Sequence, residues 1–216
     1  METRSFHSHD LEEYLLSHST PEDEVLYQLN RHTHLTSLHP RMLSGPLQGK
    51  LLEFIVRMIN PHRVLEIGAY TGYSAICMAK GLSSDGHLHT IEINDEICEA
   101  AFTFFQKAGL ENSITLHIGD ALEIIPQLNE EFDLVLIDGD KREYPEYLRA
   151  VLPKVKNNGF IIADNVLWGE KVLLSAPDDD FTKGVMDFNS MVASDPTLEQ
   201  VLLPLRDGLM LIRKIC

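Results

Sequence analysis

The chain has 216 residues, enough for one well-packed core and short for two. Its formal net charge of −15 speaks against phosphate backbones and anionic membranes as partners, while leaving room for a local basic patch. Cys77, Cys98 and Cys216 are widely spaced and form no zinc or redox motif, no apolar stretch has signal-peptide or membrane-spanning character, and the expectation is one cytoplasmic domain over residues 1–216.

Residues 1–60 read as a helical N-terminal segment and 61–216 as an α/β core. Thr20-Pro21-Glu22-Asp23 is a helix start, with Thr20 as cap and acids at the positive end of the dipole. The histidines His7, His9, His18, His32, His34 and His39 fit no dependable metal spacing and read as surface or loop residues. Pro40–Pro46 is a loop free to lie over a site, and Leu47, Leu51, Phe54, Ile55 and Met58 recur at helical spacing as one apolar face. From Arg63 strands and helices alternate. Strands are predicted at Arg63–Ile67, His87–Ile91, Ser113–His117, Phe132–Asp138 and Phe160–Asp164, and helices at Ser74–Lys80, Asp95–Lys107, Leu122–Leu128, Tyr144–Val155 and Asp180–Ala193. The fourth and fifth strands are almost continuously apolar, as strands covered on both faces are. Phe102, Phe104 and Phe105 read as helix packing, and Asp178–Asp180 as a solvated helix start. Leu198–Leu203 and Leu209–Lys214 form a closing antiparallel hairpin through Arg206-Asp207-Gly208. The fold class is α/β: a doubly wound, Rossmann-like, mostly parallel seven-stranded sheet.

Val64–Ser74 reads as a strand, a glycine loop and a helix start, which is how such a sheet opens a nucleotide-type site. Gly68 and Gly72 stand four apart and do not make the G-x-G-x-x-G that meets a pyrophosphate. Glu66 at the end of the first strand would repel a pyrophosphate, and suits the ammonium end of S-adenosylmethionine. Glu92, ending the second strand, is placed for both hydroxyls of a ribose. Asp138 ends the fourth strand and Asp164-Asn165 the fifth, so the three converge at one crevice. Oxygen ligands without cysteine or histidine suit a hard cation: Mg²⁺ first, then Ca²⁺ or Mn²⁺. Taken singly, these residues have plainer readings: a solvated strand end for Glu66, a turn for Asp164-Asn165, a solvated lysine for Lys141, packing or a dimer contact for Trp168. Their combination favours the site.

Five motifs together, Glu66–Ser74, Ile91–Asn94, Ile124–Leu128, Asp138–Lys141 and Asp164–Trp168, resemble the cation-dependent class I O-methyltransferases, which include the catechol and caffeoyl-CoA enzymes. The resemblance runs from about Met42 to Lys214. It implies that Glu66, Gly68, Tyr70 and Ser74 hold the methionine part of S-adenosylmethionine, with Ala69 and Asp138 also at the cofactor. It implies Glu92 at the ribose, Ala121 at the adenine, and Met42 and Ser44 on a loop over the cofactor. Asp138, Asp164 and Asn165 match the metal ligands, Lys141 the general base that also meets the substrate, and Trp168 the lining of the acceptor pocket. Gly139 departs from the alanine or histidine of many relatives, which bears on substrate shape. The implied enzyme methylates a catechol-like or other small molecule with vicinal oxygens, as a homodimer. A second reading is methylation of a hydroxylated uridine in tRNA, for which Arg31, His32, Arg41, Lys50 and Arg57 would have to form a basic patch. A silent binding protein that keeps the fold is a third, and the intact set Asp138, Lys141, Asp164 and Asn165 argues against it.

Overall fold

The structure, a computed structural model, describes residues 9–215; His7 and Cys216 lie outside the described residues, and of His9 only the backbone is described. Two helices lead the chain, α1 (His9–Ser17) and α2 (Glu24–Thr36). The cap of α2 is Asp23, whose carboxylate accepts from Leu26 N, and not Thr20. Aspartate caps at least as well as threonine, and its charge also suits the helix dipole. The loop at Pro40 is a 3₁₀ turn, Pro40–Met42, which leads into α3 (Gly45–Ile59).

The core follows as β1 (Arg63–Ile67), α4 (Tyr73–Gly81), β2 (His87–Glu92), α5 (Asp95–Lys107), β3 (Ile114–Ile118), α6 (Ala121–Ile124), β4 (Phe132–Ile137), α7 (Tyr144–Val151), β5 (Val155–Asp164), α8 (Asp180–Ser194), β6 (Leu198–Leu203) and β7 (Leu209–Lys214). The strands lie in the order β3-β2-β1-β4-β5-β7-β6. β1 to β5 pair in parallel, while β7 runs antiparallel to both β5 and β6. The sheet is therefore the doubly wound one with a closing hairpin. Its order reverses at β1 and β4, and the crevice for ligands opens above their carboxyl ends.

Alternate residues of the inner strands feed two cores. Val64, Leu88, Leu134, Leu136 and Ile162 face a layer containing α2 to α5. Leu65, Ile67, Val135, Ile137 and Ile161 face a layer holding Tyr144, Leu148 and Phe188 from α7 and α8. Three helical expectations need correction. The stretch from Leu122 to Leu128 is one α-turn followed by a 3₁₀ turn at Ile125–Gln127, and α7 yields to a 3₁₀ turn at Leu152–Lys154. Pro126 and Pro153 explain both, because proline cannot donate to the preceding turn. On α3 the buried face is Gln48, Gly49, Leu52, Ile55 and Val56, whereas Phe54 and Met58 are exposed. Gly49 decides the orientation: a Cβ there would meet Cys77 Sγ and Tyr73 Cε1 of α4 at 2.7 Å, so only glycine admits the two helices this close. Phe104 and Phe105 pack as expected, while Phe102 faces outward.

Candidate active site

The glycine loop after β1 is built by backbone geometry. Gly68 has φ +98°, and a Cβ there would lie 2.3 Å from Asp138 O, so glycine is required on both counts. Gly68 N and Ala69 N both donate to Ile91 O, at 2.9 and 3.0 Å, and Asp138 N donates to Ile67 O at 2.9 Å. These bonds draw the ends of β1, β2 and β4 together. Met42, Leu43, Ser44, Gly68, Ala69, Tyr70, Tyr73, Ser74 and Asp138 line a single cleft there. The residues expected at the cofactor's methionine end, and the loop expected over it, are thus side by side. The loop is held down by the Tyr70 hydroxyl, which pairs with Ser37 Oγ and donates to His39 O at 3.2 Å.

Glu66 lies on β1 beneath this cleft and is fully buried. Its Oε2 accepts from Thr90 Oγ1, but Oε1 has no hydrogen-bond partner. Burial pushes its carboxyl up to about 7, against the pull of Ser74 and Thr90. An unpartnered buried carboxylate oxygen could hold an ammonium, such as that at the amino-acid end of S-adenosylmethionine. Glu92 ends β2 with its two oxygens accepting from Tyr70 N (2.6 Å) and Asn94 N (2.9 Å). Burial raises its pKa, and the same N–H donors work the other way. Each oxygen keeps a second lone pair for a hydroxyl donor. Ala121 is buried at the first position of α6, on the β3 flank of the crevice.

On the β4–β5 side the charges are tied together. Lys141 is 7% exposed, and its Nζ donates to Asp138 Oδ1 (3.0 Å), Tyr144 Oη (2.7 Å) and Gly139 O (3.3 Å). Three hydrogens thus meet three acceptors. Tyr144, wholly buried, lies 2.9 Å from Asp164 O and 3.2 Å from Ile137 O through its hydroxyl. Asp164 accepts from Asn165 N at Oδ1 (2.8 Å) and from Gln48 Nε2 at Oδ2 (2.6 Å). Burial pushes the Asp138 carboxyl up to about 6; Lys141 pulls it down and the charge of Asp164 raises it. Two carboxylates near enough to oppose each other's ionisation form a place that positive charge relieves. Asn165 follows in the left-handed region (φ 57°), which asparagine tolerates. Asp138, Asp164 and Asn165 could hold a hard cation through oxygen, with the amide as third donor. Among the described residues no three His, Cys, Asp or Glu side chains surround one point.

Trp168 does not line the cleft with the cofactor residues; its ring stacks on Phe181 with centroids 6.1 Å apart. Its Nε1 is buried without a partner. Gly139 has its own steric reason, since a Cβ there would lie 2.9 Å from the Tyr147 ring and 3.2 Å from Ile67. Sequence reasoning missed Tyr144, Gln48 and Arg206. Tyr144 carried a signal, one helical turn after Lys141; Gln48 was a polar interruption among apolar positions, and Arg206 carried none. The patch needed for RNA finds no support here. Lys50 and Arg57 are both paired with Glu53, at 2.5 and 3.0 Å. Among the N-terminal histidines, His18, His34 and His39 are exposed, His18 and His34 each bonding a carbonyl of their own helical turn, whereas His32 is half-buried with its ring against Phe104.

The O-methyltransferase family model matches residues 16–215. The chain belongs to the O-methyltransferase family. A caffeoyl-CoA O-methyltransferase of Stellaria longipes is 30% identical over 229 residues, covering 99% of this chain and 94% of that protein. The O-methyltransferase TomG of Streptomyces achromogenes, involved in tomaymycin synthesis and solved with S-adenosylmethionine, superposes with a TM-score of 0.91 at 30% identity, over 96% of each chain. An O-methyltransferase of Bacillus cereus solved with S-adenosylhomocysteine has a TM-score of 0.90 at 27% identity, over 95% of this chain and 97% of that one. The protein is an O-methyltransferase, similar in sequence to caffeoyl-CoA O-methyltransferases. No helix among the described residues is long and apolar enough to cross a membrane.

Proposed function

We propose that this O-methyltransferase carries the methyl group of S-adenosylmethionine to a hydroxyl of a small molecule with vicinal oxygens, such as a catechol, with a divalent cation, Mg²⁺ first. The observation that carries this reading is one crevice with two contrasting banks: the unpartnered Glu66 Oε1 on one side, and the Asp138–Lys141–Asp164 network on the other. The relatives' names and their bound cofactors support it.

When bound, the cofactor supplies an electrophilic sulfonium methyl, and the cation supplies charge that makes neighbouring hydroxyls more acidic. The chain's own residues do the rest. Glu66 binds the cofactor ammonium, and Glu92 orients its ribose. Asp138, Asp164 and Asn165 hold the cation. As the neutral amine, Lys141 takes the acceptor's proton at Nζ, and the carboxylate of Asp138 holds the ammonium so formed. The buried walls of the crevice exclude water and fix the approach, from which much of the rate comes. Trp168 covers the acceptor where the chain leaves β5. The outer face of α3, with Phe54 and Met58 exposed, is the contact of a homodimer, and a Met58→Asp protein sedimenting as a monomer checks this.

The deciding experiment is methyl transfer from labelled cofactor to a catechol panel and to bulk tRNA, with Mg²⁺ and with chelator. Label on a catechol that chelation abolishes and Mg²⁺ restores is the expected result. Label that survives chelation overturns the cation role, and label on tRNA alone overturns the acceptor class.

A further inference from the structure

Gln48 is 1% exposed, a polar side chain on the buried face of α3. Its Nε2 donates to Asp164 Oδ2 across 116 residues of sequence, and its Oε1 accepts from Arg206 Nη1 at 3.2 Å. The partners fix which end of the amide is which, because a guanidinium only donates and an ionised carboxylate only accepts. Arg206, in the turn of the β6–β7 hairpin, also donates to Ser44 O and, at 3.1 Å, to Leu43 O. Leu43 and Ser44 line the cofactor cleft. One chain of hydrogen bonds therefore runs from the loop over the cofactor, through Arg206 and Gln48, to the carboxylate of Asp164. The other oxygen of Asp164 takes Asn165 N, so the carboxylate is oriented from both sides.

We propose that Gln48 is a positioning residue for Asp164, and that Arg206 holds Gln48 in that role while anchoring the loop over the cofactor. The proposal rests on the cation reading of Asp138, Asp164 and Asn165. The physical reason is general: a ligating carboxylate is steered by its own hydrogen-bond partners, and removing such a partner costs about ten- to a hundredfold in metal affinity. Gln48 reaches Asp164 from the N-terminal helices and Arg206 reaches Gln48 from the C-terminal hairpin, so the geometry at β5 is set by both ends of the chain.

The test needs no acceptor and no turnover. Mn²⁺ binding is followed by the paramagnetic resonance of the free ion, and S-adenosylhomocysteine binding by calorimetry. The variants are Q48L, R206A and the double variant. Q48L is expected to lose about tenfold in Mn²⁺ affinity while its S-adenosylhomocysteine affinity stays within roughly twofold. R206A is expected to lose both, because the loop loses its anchor. The double variant is expected to bind Mn²⁺ no more weakly than the weaker single one, since both break the same chain. Unchanged Mn²⁺ affinity in Q48L, or losses that multiply in the double variant, overturns the proposal. Wild-type protein that binds no Mn²⁺ overturns the cation reading and the proposal with it. Should Q48L not fold, R206K carries the comparison, because an ammonium lacks the fork that holds Gln48 and the loop together.

Discussion

On the β1–β2 bank of the crevice, Glu66 keeps one buried oxygen without a partner, whereas on the β4–β5 bank Asp138, Lys141 and Asp164 all have partners. The first bank is shaped by backbone: a positive-φ glycine, two N–H groups on Ile91 O and a carboxylate left waiting. The second is shaped by side chains that satisfy one another. A site of the first kind is completed by its ligand and is unfavourable without it. A site of the second kind stands ready without a ligand, and charge entering it has to compete with Lys141 for Asp138.

The contrast breaks most sharply at Lys141. Lys141→Ala is expected to lower turnover about a thousandfold, within the usual range for a lost general base, with S-adenosylhomocysteine affinity unchanged. Turnover within tenfold of wild type would remove Lys141 from the chemistry. On the other bank the effect should fall on binding. Glu66→Gln keeps the shape and removes the charge, and calorimetry should show about a hundredfold weaker S-adenosylhomocysteine binding, the size expected for an unpaired buried ammonium.

Tyr144→Phe sharpens the comparison. It removes the hydroxyl that holds Lys141 Nζ at 2.7 Å while keeping the ring. About tenfold lower kcat is expected, with KM for the cofactor unchanged, from the loss of one hydrogen bond to a charged group. Tyr147→Phe, whose hydroxyl meets Glu143 at 2.7 Å instead, is the control and should leave kcat alone.

A further effect falls on the protein without ligand. Glu66 titrates at about 7 in the fold and at about 4.5 when unfolded, so the folded state holds the extra proton between those values. That stabilisation is complete below pH 4.5 and is lost as pH rises through 7, with a contribution of order 3 kcal/mol. Thermal unfolding of ligand-free wild type should therefore lose more stability between pH 5 and 8 than Glu66→Gln does. Parallel profiles would place the raised pKa elsewhere. Saturating S-adenosylhomocysteine, by pairing the carboxylate, should flatten the wild-type profile.

The geometry of the β1–β2 bank was legible from the chain because its requirements are local. Gly68 is needed for φ +98°, and Glu66 and Glu92 stand at strand ends that apolar runs reveal. The spacing of Asp138, Lys141 and Asp164-Asn165 was legible for the same reason, as were the seven strands and their closing hairpin. The sequence by itself determined which strand ends open the crevice and which carboxylates stand there. Tertiary structure decided what surrounds them. The apolar periodicity of α3 allows more than one face, and the close approach of Gly49 to α4 chooses the one that buries Gln48 and exposes Phe54 and Met58. Gln48 meets Asp164, and Arg206 meets Leu43 and Ser44, only because helix and hairpin pack over the same strand ends. Local propensity acts over a few residues, while the partners of a buried polar group are set by whichever distant segment must satisfy it.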